Sequence, residues 1–372
     1  MSSLKRDLKI LNISLPDKAI FDVHSKTAYR LREYGEIVEK YTVVLPAKKN
    51  QIIQLSGHVA VYGSGGRNKI SQLINCYKIA DGILNQGYDL ITVHGQYFLS
   101  LLGLILAKKH NIGMEMQIHG WEKYSLIRSL VARFNISRAN AFRVVGKRLK
   151  EQLINKYGVE SEKITVASIF VDITRPEQAR QNSPWREAFQ DSPKRFIFLT
   201  VGRLAAVKNI GLQIRAMVEV VKKYPEAELW IVGDGPGRRN CEQQIAEGQL
   251  EKNVKTLGWK NNLEEFYEMA DAFVLTSNSE GWGLAIIEAA SFGLPIIVTD
   301  VGCAGEVIID NESGLVIPIG GIHELIEAML KIITDENLRR KIGGNAKLAA
   351  SRLPNKEQTL ELYIKSWEQA IL

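Results

Sequence analysis

Short apolar runs alternate with stretches of helical period along the chain, and parallel sheets built from βαβ units accommodate that pattern best. Runs near residues 8–15, 41–46, 58–62, 88–94, 113–119, 141–145 and 163–167 read as strands buried on both faces. Helices are expected over 25–39, 69–84, 97–110, 125–138 and 147–156. The alternation then stops. Residues 175–195 are polar, carry Pro176, Pro184 and Pro193, and lack an apolar period, as a linker does, with room for a short helix at 185–189. Strands resume near 196–201, 228–232, 254–257, 272–276, 295–299 and 314–317, and helices follow over 323–334, 336–348 and 355–371. At 372 residues the chain exceeds one ordinary core. Two domains are therefore expected, 1–172 and 196–354, joined by a linker at 173–195.

Charge is unevenly spread. Of a net +7, residues 1–172 hold 25 Lys+Arg against 14 Asp+Glu, so this half is expected to meet an anionic partner. No nucleic-acid-binding module is recognisable, so nucleic acid is not expected, and an anionic membrane or phosphorylated lipid fits better. Residues 123–150 hold eight cations and no acid. Within them Leu126, Ile127, Leu130, Val131 and Phe134 share one helical face, with Arg128, Arg133 and Arg138 interleaved. Such a helix either lies on a membrane or turns its apolar face into the core, and the pattern leaves both open.

No apolar run approaches the roughly 20 residues that span a bilayer. The N-terminus, MSSLKRDLKI, has charges where a signal peptide needs an apolar segment. Cys76, Cys241 and Cys303 are scattered and odd in number, giving neither a disulfide framework nor metal spacing. A cytoplasmic location is expected, with peripheral attachment at the inner membrane face as the alternative.

The densest chemistry lies in EGWGLAIIE, residues 280–288, between an apolar strand and a short helix at 284–292. Gly281 and Gly283 let the backbone approach a ligand, and the helix start presents unpaired N–H groups and a partial positive charge that suit a phosphate. Glu280 in the loop and Glu288 in the helix's first turn can accept hydrogen bonds from two sets of sugar hydroxyls. Amides for a diphosphate and carboxylates for two sugars suit a sugar nucleotide. Arg203 and Lys208 directly follow a strand and Gly202, where cations stabilise the charge on a departing diphosphate. The glycine-rich turn from Gly233 to Gly237 lacks the G-x-G-x-x-G spacing, and either lines the nucleotide or only turns the chain. His94 and His119 end two strands, where ligands bind in such sheets, with His119 preferred.

In order, FIFLTVGRLAAVKN, LWIVGDGPGR, LGW, EGWGLAIIE, GLPIIVTDVGCAGEVI and NESGLVIP resemble the retaining glycosyltransferases of glycosyltransferase family 4, strongly over 196–318 and loosely elsewhere. The resemblance implies a GT-B fold, two Rossmann-like domains with parallel sheets facing across a cleft, with the last helix, 355–372 and Trp367 included, packed back onto the first domain. It implies retaining transfer of a hexose-type sugar from a nucleotide-diphosphate sugar, a uridine one, to a hydroxyl of a glycan or lipid-linked acceptor. No D-x-D triad is present, so no metal is expected, and no cofactor besides the nucleotide sugar as co-substrate.

Carried onto this sequence, Arg203 and Lys208 contact the donor diphosphate, Glu280 the donor hexose and Glu288 the ribose, while His119 lies near the donor sugar. Gly202, Gly233, Gly281, Trp282, Gly283 and Leu284 complete the donor side; Trp282 stands where the family often has phenylalanine. The first strand-to-helix loop lacks the family's Gly-Gly pair, which leaves Asp22, His24, Ser25 and His94 as acceptor-side candidates. The nearest glycine-rich loop, Gly63 to Gly66, either serves a phosphate or turns the chain. The rivals are a sugar-nucleotide epimerase, a phosphorylase and an inactive sugar-nucleotide-binding subunit. Motif order disfavours the first two; intact Glu280, Glu288, Arg203 and Lys208 disfavour the third.

Overall fold

The computed structural model describes residues 5–121, 126–171 and 195–371. Most of the linker, its expected short helix and residues 123–125 of the basic segment fall outside them. The chain divides into two compact units, 1–168 with 354–372, and 169–353.

In chain order the first unit runs β1 Arg6–Ile13, α1 Lys26–Glu36, β2 Val38–Leu45, β3 Asn50–Ser56, β4 Val59–Ser64, α2 Lys69–Leu84, β5 Leu90–His94, α3 Phe98–His110, β6 Gly113–Ile118, α4 Leu126–Ile136, β7 Ala141–Val144, α5 Lys147–Tyr157 and β8 Ile164–Val166. The strands order β3-β4-β2-β1-β5-β6-β7-β8. Pairing is parallel, with Ile10 beside both Tyr41 and Leu90. The exception is β3, an edge strand antiparallel to β4. The sequence reading contains no β3: its NQIIQLS mixes polar and apolar residues because only Leu55 is fully covered.

The last helix, α12 in the numbering continued below, spans Lys356–Ala370 and belongs to this unit's core. Leu360, Tyr363, Ile364 and Trp367 are buried with Ile10, Tyr41 and Leu90. A charged network fastens it. Glu115 on β6, fully buried, accepts from the Arg143 Nε of β7 at 3.0 Å and from the hydroxyls of Thr92 and Ser366. The Arg143 guanidinium lies 3.7 Å over the Tyr363 ring. A buried ion pair is tolerable only when such bonds satisfy it.

The second unit runs β9 Phe196–Val201, α6 Ile210–Lys223, β10 Ala227–Val232, α7 Arg238–Glu247, β11 Val254–Gly258, α8 Glu264–Met269, β12 Ala272–Leu275, α9 Leu284–Ser291, β13 Ile296–Thr299, β14 Leu315–Ile317, α10 Ile322–Thr334 and α11 Glu336–Ser351. Its strands order β11-β10-β9-β12-β13-β14, all parallel. The order reverses between β9 and β12, and ligands of doubly wound sheets bind at the carboxyl ends of the strands at such a point. No helix among the described residues is long and apolar enough to cross a membrane.

Candidate functional site

Loops after β9, β10 and β11 are laced together at this switch point. Gly202 N–H donates to the Val232 carbonyl at 3.0 Å, and Gly233 N–H to that of Gly258 at 2.9 Å. Gly233 has φ +140°, and a Cβ there would stand 1.9 Å from the Gly202 carbonyl oxygen. Close backbone approach therefore explains the glycine, so the structure gives this turn an architectural duty.

Lys208 ends a 3₁₀ turn at Ala206–Lys208 and reaches Glu280, with Nζ 2.5 Å from Oε1. Ser277 Oγ donates to the same oxygen at 2.5 Å, and Thr299 Oγ1 fixes Ser277 by donating to its carbonyl at 2.6 Å. Arg203 is exposed at the start of the same loop. Gly283, at φ +89°, caps α9 in the left-handed region, where Cβ-bearing residues are strained. The first N–H groups of a helix have no intrahelical acceptor, so the turn from Gly281 through Leu284 presents donors beside the Lys208–Glu280 pair. Trp282 is buried, and its indole N–H finds no partner among the described residues.

One expectation needs correcting. Glu288 is the fifth residue of α9, a turn below its start and not in the first turn. Its Oε2 accepts a 2.7 Å hydrogen bond from the Tyr267 hydroxyl of α8. Tyr267 is buried, stacks on Phe292 at 5.3 Å, and lies beside Phe273 at 6.1 Å. Burial and then the Glu288 charge hold its phenol well above the usual range, so it remains a neutral donor. The sequence reading names neither α8 nor Tyr267; a buried aromatic next to polar Glu268 and Glu265 was the available signal.

In the first unit, His94 and His119 stack with ring centroids 5.4 Å apart at the ends of β5 and β6. Asn12 Nδ2, 2.6 Å from the Tyr41 hydroxyl, lies 3.5 Å from His94 Nε2. Both imidazoles are held below the ordinary histidine range. For His94 the causes are loss of hydration, then His119, Arg143 and Arg30. For His119 they are loss of hydration, then Arg143 and Arg30, although His119 stays solvent-exposed and so keeps part of its hydration. A neutral imidazole can donate one hydrogen bond and accept one.

The acceptor-side candidates of the first loop have local duties. Ser25 Oγ caps α1 by accepting from Ala28 N–H at 3.1 Å, and Asp22 Oδ1 accepts from the His24 N–H at 2.9 Å. In the glycine-rich loop, Gly66 N–H donates to the Lys48 carbonyl and Asn75 Nδ2 to that of Gly65. Of the two readings of that loop, the bonds favour the turn.

Two doubly wound units, one carrying cations, a helix N-terminus and two carboxylates at its switch point, define a GT-B glycosyltransferase, which takes sugar from a nucleotide sugar. The chain belongs to glycosyltransferase family 4: residues 39–175 match Glycosyltransferase Family 4 and residues 181–349 match Glycosyl transferases group 1. It is 26% identical to an uncharacterised glycosyltransferase of Methanocaldococcus jannaschii, over 87% of this chain and 83% of that one. It is also 26% identical to the alpha-monoglucosyldiacylglycerol synthase of Acholeplasma laidlawii, over 76% and 75%. Among solved structures, Anabaena HepE in complex with UDP superposes with TM-score 0.77 at 21% identity, covering 96% of this chain and 98% of that one.

Proposed function

We propose that this protein is a retaining, metal-independent glycosyltransferase that moves a hexose-type sugar from a UDP-sugar to a hydroxyl of a glycan or lipid-linked acceptor, in glycan, polysaccharide or glycolipid biosynthesis. It uses no cofactor besides that co-substrate. The observation that carries the reading is the 2.5 Å contact of Lys208 with Glu280 at the α9 N-terminus. It sets a cation for the leaving diphosphate beside a carboxylate for the hexose, so the sugar–phosphate junction of the donor is met by both groups at once. The acceptor oxygen attacks the anomeric carbon on the face that UDP leaves. The carbon–oxygen bond to the β-phosphate breaks with its electron pair on UDP, and a β-phosphate oxygen takes the acceptor proton. Lys208, Arg203 and the Gly281–Leu284 amides hold the growing charge. Glu288 takes the ribose hydroxyls, and His119 the donor sugar. The complex of HepE with UDP supports UDP, and the alpha-monoglucosyldiacylglycerol synthase of Acholeplasma laidlawii supports an α-linked product and a lipid acceptor. The test is calorimetry against UDP-, GDP- and ADP-sugars: submicromolar to millimolar binding of a UDP-sugar with slow hydrolysis supports the reading, and binding without any turnover favours the inactive subunit.

The lipid side of the acceptor rests on α4. Leu126, Ile127, Leu130 and Phe134 are 78, 68, 61 and 45% exposed, so the apolar face does not turn into the core. Arg128, Arg133 and Arg138 are exposed with them, and the Arg138 guanidinium lies 3.8 Å over the Phe134 ring. Phe98 and Ile105 of α3, the helix packed beside α4, are exposed as well. Apolar side chains fringed by cations without an acid suit an anionic bilayer, at the inner membrane face. Replacing the three arginines with glutamine should weaken partitioning onto anionic vesicles, read by sedimentation, on the order of 100-fold at about 1 kcal/mol per cation, and leave UDP binding unchanged. Equal sedimentation of wild type with neutral and anionic vesicles would refute it.

A further inference from the structure

Glu288 sits a turn below the phosphate-facing start of α9, where a glutamate side chain has several rotamers. A carboxylate that must meet two vicinal hydroxyls gains from being held in one. The structure supplies a holder. Tyr267 comes from α8, a separate element, and its ring is wedged between Phe292 and Phe273, so the hydroxyl has little freedom. That hydroxyl donates to Glu288 Oε2 at 2.7 Å, a charge-assisted bond in a partly buried setting. The phenol stays protonated across the working pH range and therefore always donates.

We propose that Tyr267 is a positioning residue for the donor nucleotide: from α8 it fixes the Glu288 carboxylate of α9 in the orientation that receives the ribose hydroxyls. The proposal rests on the ribose reading of Glu288 given above. It makes the selection of ribonucleotide over deoxyribonucleotide donors a property of the α8–α9 contact, with the phosphates held independently by the loop after β9 and the α9 start.

The test compares UDP, 2′-deoxy-UDP, 3′-deoxy-UDP and pyrophosphate by calorimetry on the full-length protein. Wild type should favour UDP over the deoxy analogues. If it binds all three alike, the ribose reading itself fails, whatever Tyr267 does. Given that preference, Tyr267→Phe, which removes one oxygen and keeps the ring stack, should weaken UDP roughly 5- to 30-fold. The preference should shrink toward one, with pyrophosphate affinity unchanged. UDP affinity within twofold of wild type and an intact preference would overturn the proposal. A second comparison separates aiming of Glu288 from any other effect of losing the hydroxyl, because Glu288→Gln removes the charge that the hydroxyl serves. Glu288→Gln and the Glu288→Gln/Tyr267→Phe double variant should bind UDP equally, since no carboxylate remains to be aimed. A further loss in the double variant would show that Tyr267 acts elsewhere, and would also overturn the proposal.

Discussion

Replacing Lys208 with methionine keeps the stem of the side chain and removes the ammonium. The Lys208 and Glu280 side chains are 21 and 11% exposed, so the pair is largely shielded from water. Without Lys208, the Glu280 carboxylate keeps only the Ser277 hydroxyl among the described residues, a loss of about 1–3 kcal/mol in stability. Glu280→Gln in the same background should recover part of it, with a coupling of about 0.5–3 kcal/mol. The kinetic effect should be larger. Taking away one preorganised group that meets developing charge costs on the order of 10²–10³ in kcat, about 3–4 kcal/mol. Because that charge grows in the transition state, kcat and kcat/KM should fall together while the UDP-sugar Kd moves little. Chemical denaturation and steady-state turnover on a UDP-sugar measure the two effects. If Lys208→Met keeps kcat within threefold and raises only KM, Lys208 binds the ground state and the leaving-group role is refuted.

Other outcomes follow from the first unit. Arg143→Met strands the fully buried Glu115 carboxylate and should cost about 3–5 kcal/mol in that unit's unfolding transition, loosening α12 in hydrogen exchange; a loss below 1 kcal/mol would contradict the fastening role. Both histidines have folded pKa values below the unfolded value of about 6.5, so the unfolded chain binds more protons at mildly acid pH. Stability should be full above pH 6.5 and fall as pH drops from there toward the lowered folded pKa values, and His94→Gln should flatten that slope. An unchanged slope, or imidazole resonances titrating near 6.5, would exclude the depressed values.

How much of this was readable in sequence depends on how local the cause is. The buried parallel strands were readable, as at Phe196–Val201, because strands covered on both faces must be continuously apolar. The α2 bounds, Lys69–Leu84, follow from the Asn68 capping box and a polar end. The edge strand β3 was not, since half its side chains face water and leave no apolar run. Glu280 and Lys208 were singled out, but their direct contact joins residues from two loops, and no spacing rule supplies it. The same holds for Tyr267, which meets Glu288 from a different helix, 21 residues away in sequence. For α4 the period was plain but its partner was not: amphipathicity marks an apolar face and leaves open whether protein or lipid covers it.

The central claim is same-face transfer from a UDP-sugar without metal. Its most direct measurement is the anomeric configuration of the first-formed product, followed by proton NMR with a UDP-α-sugar, an alcohol or lipid acceptor and EDTA present throughout. The account predicts an α-linked product at a rate that EDTA leaves unchanged. A β-linked product, or turnover that stops with EDTA and returns with a divalent ion, would contradict it.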